Sequence, residues 1–242
     1  MTESRRVGVQ DLTVAQAHAV VDLLEPLLTP RRRERIHEVL ARRTRHLALL
    51  LEEVFSDHNT AAIMRTADAM GLLDVHHIST SEKLYMSKRV ALGSEKWLLL
   101  RQHASLEAAL AAARAEGRQV WGAAVHGAAV PVDELPVERP LALVFGNEHA
   151  GLSPDAIERL DGCFHIPMLG FAESYNVSVA AALTMDRVLA RAPRHGLGVE
   201  ERLKITAGYY AQSVRASGAL LERRGLPLPV LSWVEPHWTE TE

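Results

Sequence analysis

Three short stretches of this 242-residue chain carry the polar groups that a reaction centre needs. The first holds Asn59 and Arg65, the second is Gly146-Asn147-Glu148-His149-Ala150-Gly151, and the third is Ser174-Tyr175-Asn176. A guanidinium is always protonated near neutral pH and presents a planar fork of donors, the geometry that grips a phosphate or a carboxylate. The third stretch belongs to a longer one, 164–183, in which a short apolar run leads through Pro167, Gly170 and Glu173-Ser174 into a helical pattern. Val177, Ala181, Met185, Val188 and Leu189 recur at helical spacing there, with Asn176 placed as the N-cap. Such a junction offers free backbone N–H groups and a partial positive charge, a natural seat for a polar ligand. Taken singly, each residue also has a structural explanation: Asn59 as a helix cap, Arg65 as the ion-pair partner of Asp68, Gly146 and Gly151 as turn residues, Asn176 as a second cap.

What brings such stretches together is the alternation of elements around them. The apolar runs 46–53, 74–79, 118–125, 141–145 and 164–166 have the length and composition of buried strands. Between them lie helical patterns: 60–70 with Ile63, Ala67 and Met70 on one face, an Ala-rich segment capped by Ser105 and ending at Gly117, and one started by Ser153-Pro154. The polar segment 80–89 reads as mobile. Strands alternating with helices predict an α/β fold with a mostly parallel sheet, whose ligands bind beyond the carboxyl ends of the strands. All three stretches fall there. Helices flank this core: 13–28, with Thr13 and Gln16 as a capping box, one from Thr29-Pro30 to about Arg43, and 200–224 before a Pro- and Trp-containing tail. The domain boundaries that follow are 1–45, 46–192 and 193–242.

Composition narrows the classes. A hydrophobic content of 48% supports a large core, no apolar run reaches bilayer length, and the first residues lack the apolar centre of a signal peptide, so a cytoplasmic protein is expected. One cysteine, Cys163, excludes an internal disulfide and a multi-cysteine zinc site. His76 and His77, adjacent on a strand, point to opposite faces, so no metal site is expected from them. Net charge is −3, yet Arg31, Arg32, Arg33, Arg35, Arg42, Arg43 and Arg45 fall within fifteen positions. That cluster is either a phosphate-attracting surface or a solvated helix face partnered by Glu34 and Glu38. Phosphate-loop, nucleophile-elbow and zinc-protease motifs are missing, and Gly196-Leu197-Gly198 lacks the third glycine of a dinucleotide loop.

Together the segments HNTAAIMRTADAMG, LVFGNEHAGLS and IPMLGFAESYNVSVAAAL resemble, in order and spacing, the three motifs of the SPOUT RNA 2′-O-ribose methyltransferases, specifically the TrmH type that methylates guanosine in tRNA. The resemblance covers roughly 29–192, and LLERRGLPLP is similar to the C-terminal extension of the longer bacterial members. Glu173 and Tyr175 stand where Gln and Leu are usual. The resemblance implies a C-terminal trefoil knot over about 141–192, S-adenosylmethionine as cofactor, a homodimer packed through the knot, tRNA as partner, and neither metal nor membrane.

It also implies site roles. Arg65 matches the catalytic arginine; Asn59 supports it, Glu148 shapes the second-motif turn and ribose site, and Ser174 and Asn176 order the knot loop. Backbone groups at Val125, Gly146, Ile166, Met168 and Tyr175 hold the cofactor, and the Arg31–Arg43 cluster contacts RNA. Two alternatives remain open: 2′-O-methylation of ribosomal RNA or another tRNA position, and a knotted RNA-binding protein without catalysis.

Overall fold

A computed structural model describes residues 5–79, 84–124, 128–193 and 195–232, together with the backbone of 237–239. The chain divides into two compact units, Met1–Arg43 with Gly196–Trp233, and Thr44–His195 with Val234–Glu242.

The first unit opens with β1 (Arg6–Gly8), α1 (Val14–Leu24) and α2 (Pro30–Leu40). The capping box forms as the sequence predicts, with Gln16 N–H donating to Thr13 Oγ1 at 3.1 Å and Thr13 N–H to Gln16 Oε1 at 2.9 Å. Pro30 follows the Thr29 cap, whose hydroxyl accepts from Arg32 N–H at 3.2 Å.

The second unit runs β2 (Leu47–Glu52), α3 (Asp57–Ala69), β3 (Asp74–Ile78), β4 (Tyr85–Ser87), α4 (Lys88–Ala91), β5 (Leu99–His103), α5 (Leu106–Ala115), β6 (Gln119–Ala123), β7 (Val130–Pro131), β8 (Leu141–Phe145), α6 (Pro154–Arg159), β9 (Gly162–His165) and α7 (Val177–Arg191). Seven strands make one sheet in the order β5-β3-β2-β8-β6-β9-β7, and every pairing in it is parallel. β2 is central and buried along its whole length, which is why its sequence is a continuous apolar run rather than an alternating one. Side chains on one face, among them Leu49, Leu51 and Phe145, share a core with Met64 of α3 and Met185 of α7; those on the other, Leu50 and Val144, pack with Leu110 of α5 and Ala156 of α6. Of the segment expected to be mobile, 80–83 lie outside the described residues, and 85–89 are built into β4 and the start of α4.

The chain then returns to the first unit with α8 (Val199–Ser213), α9 (Ser217–Arg223) and β10 (Leu228–Val230), the last pairing in parallel with β1. The helix expected over 200–224 is broken between α8 and α9, where Ala216 takes φ 59°. Finally β11 (His237–Thr239) joins β4. One site expectation fails in the first unit. Arg43 is 1% exposed, with Nε 3.0 Å from the Tyr209 hydroxyl and its guanidinium over the Tyr209 ring, so it is a packing residue and not part of an RNA-facing surface.

His76 and His77 do face opposite ways. His76 Nδ1 lies 2.9 Å from His103 Nε2 with the rings stacked, and burial lowers the pKa of both His76 and His77 to about 4. No group of three or more His, Cys, Asp or Glu among the described residues could hold a metal ion, and no helix there is long and apolar enough to cross a membrane.

Candidate functional site

Parallel strands deliver their carboxyl ends to one edge of the sheet, and the loops leaving β2, β8 and β9 meet there. The first loop leads into α3, whose N-cap is Ser56: its Oγ accepts from Asn59 N–H at 3.3 Å. This corrects the reading of Asn59 as the cap. With capping done by Ser56, the Asn59 side chain is free to turn outward.

The second loop supplies what Asn59 meets. Gly146 admits no side chain, since a Cβ there would lie 2.3 Å from the carbonyl of Gly151, and Gly151 itself has φ 70°. Asn147 and Gly151 exchange two backbone hydrogen bonds of 2.9 Å, which throws Glu148 to the loop's tip. The Glu148 carboxylate accepts from Phe55 N–H at 3.3 Å, Ser56 N–H at 3.1 Å and Asn59 Nδ2 at 3.0 Å. Burial pushes its pKa up; the hydrogen bonds from Asn59, from its own backbone and from the N–H groups of Ser56 and Phe55 outweigh that and hold it below the ordinary value.

Asn59 passes the connection on. Its Oδ1 accepts from Asn176 Nδ2 at 3.1 Å, and Asn176 Oδ1 accepts in turn from Ser178 N–H at 2.9 Å and Ser178 Oγ at 2.6 Å. Asn176 therefore caps α7, as its position in the sequence predicts, and joins the site as well. A carboxylate can only accept, so Glu148 fixes which end of the Asn59 amide is the donor, and through it the orientation of Asn176. Sequence reasoning gave roles to these three residues but none to Asn147, Glu53 or the Ser56 cap, which place them; their signal was no more than turn-forming residue types beside strands.

Arg65 lies farther along α3 and is exposed. It does not pair with Asp68. Its Nη1 lies 3.5 Å from the carbonyl of Val90, a contact that leaves most of the fork open to an anion. Ser174 and Tyr175 sit on the β9–α7 loop, exposed, and Ser174 has no hydrogen-bond partner among the described residues. Residues 167–175 make no backbone–backbone hydrogen bond among the described residues, so their main-chain donors and acceptors are available to a ligand. Ile166 is buried and Met168 half-buried at the start of this loop; Val125 lies outside the described residues. The β9–α7 loop thus offers main-chain groups to a ligand, and α3 carries a cation whose fork suits a phosphate.

In the other unit, Arg31 and Arg42 are exposed and pair with no carboxylate among the described residues. Arg33 and Arg35 make surface pairs with Glu25 at 3.5 Å and Glu38 at 3.4 Å, and Arg32 Nε bonds Ser213 Oγ at 3.2 Å.

Comparison with known proteins places the chain in a family. Residues 46–186 match the model of the SpoU rRNA Methylase family. A tRNA (guanosine(18)-2'-O)-methyltransferase of Thermus thermophilus is 38% identical over 175 residues, covering 72% of this chain and 90% of the relative. The crystal structure of the A. aeolicus TrmH/SpoU tRNA modifying enzyme superposes with a TM-score of 0.71 at 30% identity, over 76% of this chain and 98% of that one. The SpoU methyltransferase AviRb from Streptomyces viridochromogenes, in complex with the cofactor AdoMet, gives a TM-score of 0.56 at 28% identity, over 64% of this chain and 63% of that one.

Proposed function

We propose that this chain, which belongs to the SpoU rRNA methylase family, is an RNA methyltransferase that moves the methyl group of S-adenosylmethionine to the ribose 2′-oxygen of guanosine 18 in the D-loop of tRNA. The observation that carries the reading is the ordered chain from Glu148 through Asn59 to Asn176, with Arg65 on the same helix as Asn59 and its fork paired with no carboxylate among the described residues. Relatives of this specificity match most of the chain and nearly their whole length, which favours tRNA over ribosomal RNA.

The residues present fit S-adenosylmethionine. The unpaired main chain of 167–175, the buried Ile166 and the close-packed Gly146 turn offer backbone hydrogen bonds beside apolar surface, the needs of an adenosine with a charged amino-acid tail. Gly146, Ile166, Met168 and Tyr175 would hold it; Val125, given the same role by the resemblance, lies outside the described residues. When bound, the cofactor supplies a methyl group already activated on a sulfonium.

The task left to the protein is to hold the ribose 2′-oxygen in line and to ease loss of its proton. Arg65 cannot act as a base, being always protonated. It grips the neighbouring phosphate and stabilises the negative charge that grows on the 2′-oxygen, while the proton leaves to a phosphate oxygen or to water. Glu148 is a poor proton acceptor: its oxygens accept from Phe55, Ser56 and Asn59, and those bonds favour its ionised form and lower its basicity. Its role is to fix Asn59 and, through it, Asn176.

The β9–α7 loop is read as the threaded part of a trefoil knot. Supporting this, the β6–β8 connection contributes Val132, Leu135 and Val137 to the core that holds Ala181, Met185 and Val188 of α7, and Arg191 bonds the carbonyls of Val132 and Leu135 at 3.1 and 3.4 Å. A homodimer through the same region accounts for Leu169, Phe171, Tyr175 and Val179, which expose 103%, 108%, 39% and 45% of their surface. Sedimentation at micromolar concentration shows twice the chain mass if this holds. The protein works in the cytoplasm, and Arg31 and Arg42 lead the tRNA-binding surface of the first unit.

Nucleoside mass spectrometry of unmodified tRNA incubated with the protein and S-adenosylmethionine tests the function. The expected product is 2′-O-methylguanosine at position 18. Methylation confined to another position or to ribosomal RNA overturns the specificity, and no methylation of any RNA overturns the enzyme.

A further inference from the structure

The chain leaves β2 through a strained residue. Glu53 has φ 51°, in the left-handed region that costs a side-chain-bearing residue energy unless its surroundings hold it there. Two bonds do so. Glu53 N–H donates to the Ile78 carbonyl at 3.0 Å, and the Glu53 carbonyl accepts from Asn147 Nδ2 at 3.0 Å.

Asn147 has its other side-chain atom engaged as well, with Oδ1 accepting from His149 N–H at 2.8 Å and Ala150 N–H at 3.0 Å. One amide thus ties the strained turn after β2 to the loop after β8, and the next residue in that loop is Glu148. The turn at Glu53 sets the direction in which Phe55 and Ser56 present their N–H groups, and both of those meet the Glu148 carboxylate. One residue before Glu53, the buried Glu52 carboxylate accepts from Ser153 N–H at 3.1 Å and Ser153 Oγ at 2.6 Å, so the second loop is pinned to the end of β2 at both of its ends.

We infer that Asn147 is a positioning residue for methyl transfer, acting by holding the left-handed turn at Glu53 so that the first and second loops meet in the one register that lets Glu148 orient Asn59 and Asn176. It touches no reacting atom. The inference rests on the reading of those three residues as the reaction centre.

The test uses Asn147→Ala, Asn147→Asp, Glu53→Gly and the double variant Asn147→Ala with Glu53→Gly in the full-length protein. Single-turnover methylation of tRNA gives the rate of the chemical step, titration gives the affinity for S-adenosylmethionine, and hydrogen exchange reads the Phe55 and Ser56 amides whether or not the protein is active. Asn147→Ala is expected to slow the chemical step on the order of tenfold, less than the roughly hundredfold that follows misplacing a reacting group by an ångström. Cofactor affinity stays within about twofold, a split that marks loss of positioning over loss of binding, and the two amides exchange faster. Asn147→Asp keeps the acceptor of the turn but aims an oxygen at the Glu53 carbonyl, and is expected to be at least as slow.

The decisive arm is rescue. Glycine adopts positive φ without strain, so Glu53→Gly combined with Asn147→Ala is expected to restore most of the rate and amide protection that Asn147→Ala loses. A parent rate in both Asn147 variants overturns the inference, as does a double variant no better than Asn147→Ala. If the parent protein methylates no RNA, the proposed function fails, while the exchange rates of Phe55 and Ser56 still decide whether Asn147 holds the turn.

Discussion

The two edges of the parallel sheet treat charge in opposite ways. At the edge where strands begin, Asp74 is fully buried and lies 2.7 Å from Arg45, 2.9 Å from Arg118 and 3.4 Å from Arg101. Glu116 completes the group with 3.0 Å contacts to Arg45 and Arg118 and a 2.7 Å contact to Arg101. Burial raises the Glu116 pKa, and these three guanidiniums overcome that and hold it at about 2. At the edge where strands end, the carboxylate of Glu148 is met by amides, and farther along α3 the cation Arg65 is met by a carbonyl. Charges that neutralise one another internally stabilise and orient; a charge left without a counterion on a fixed scaffold is available for a substrate.

The largest effect that sharpens this contrast is on stability. Asp74→Ala leaves three guanidiniums clustered without their buried counterion, and breaking such a group costs about 3–5 kcal/mol. Urea unfolding measures the loss, while methylation well below the new transition stays near the parent rate; a large loss of rate with unchanged stability breaks the contrast. Arg65→Lys is expected to do the reverse. Lysine keeps the charge but not the planar fork, so single-turnover methylation at saturating tRNA and cofactor falls at least tenfold, towards the roughly 3 kcal/mol typical of removing one transition-state hydrogen bond. Cofactor binding and melting temperature stay close to the parent. A parent rate there removes Arg65 from the reaction. The smallest effect concerns the first unit: Arg31→Gln with Arg42→Gln weakens tRNA binding modestly and lowers the slope of log affinity against log salt by about 1–2, since each phosphate no longer neutralised keeps its counterion. An unchanged slope makes α2 a solvated face.

The sequence was most informative where one local rule decides the outcome. The buried run of β2, the Thr13–Gln16 box, the Thr29-Pro30 and Ser153-Pro154 starts and the Asn176 cap depend on neighbours a few residues away, and all are found as expected. Where two candidates compete, the pattern does not choose. Ser56 and Asn59 are both good caps, and the choice of Ser56 depends on Glu148, 89 residues after Asn59, claiming the Asn59 amide. Arg43 is indistinguishable in sequence from its exposed neighbours until Tyr209 is packed against it. The turn at Glu53 left no trace at all, because the residue that compensates its strain is Asn147, 94 positions away.

The same long separations carry a consequence for how activity arises as the chain folds. Asn59 and Asn176 are joined across 117 residues. Closing so large a loop is slow and is rewarded only once the intervening strands have paired. The proposed reaction centre is therefore assembled among the last contacts of the unit, after the strands that support it. A chain emerging from the ribosome carries Asn59 and Arg65 early and remains inert until the β9–α7 segment has been made and docked, so the first methyl transferred reports that folding of this unit is complete.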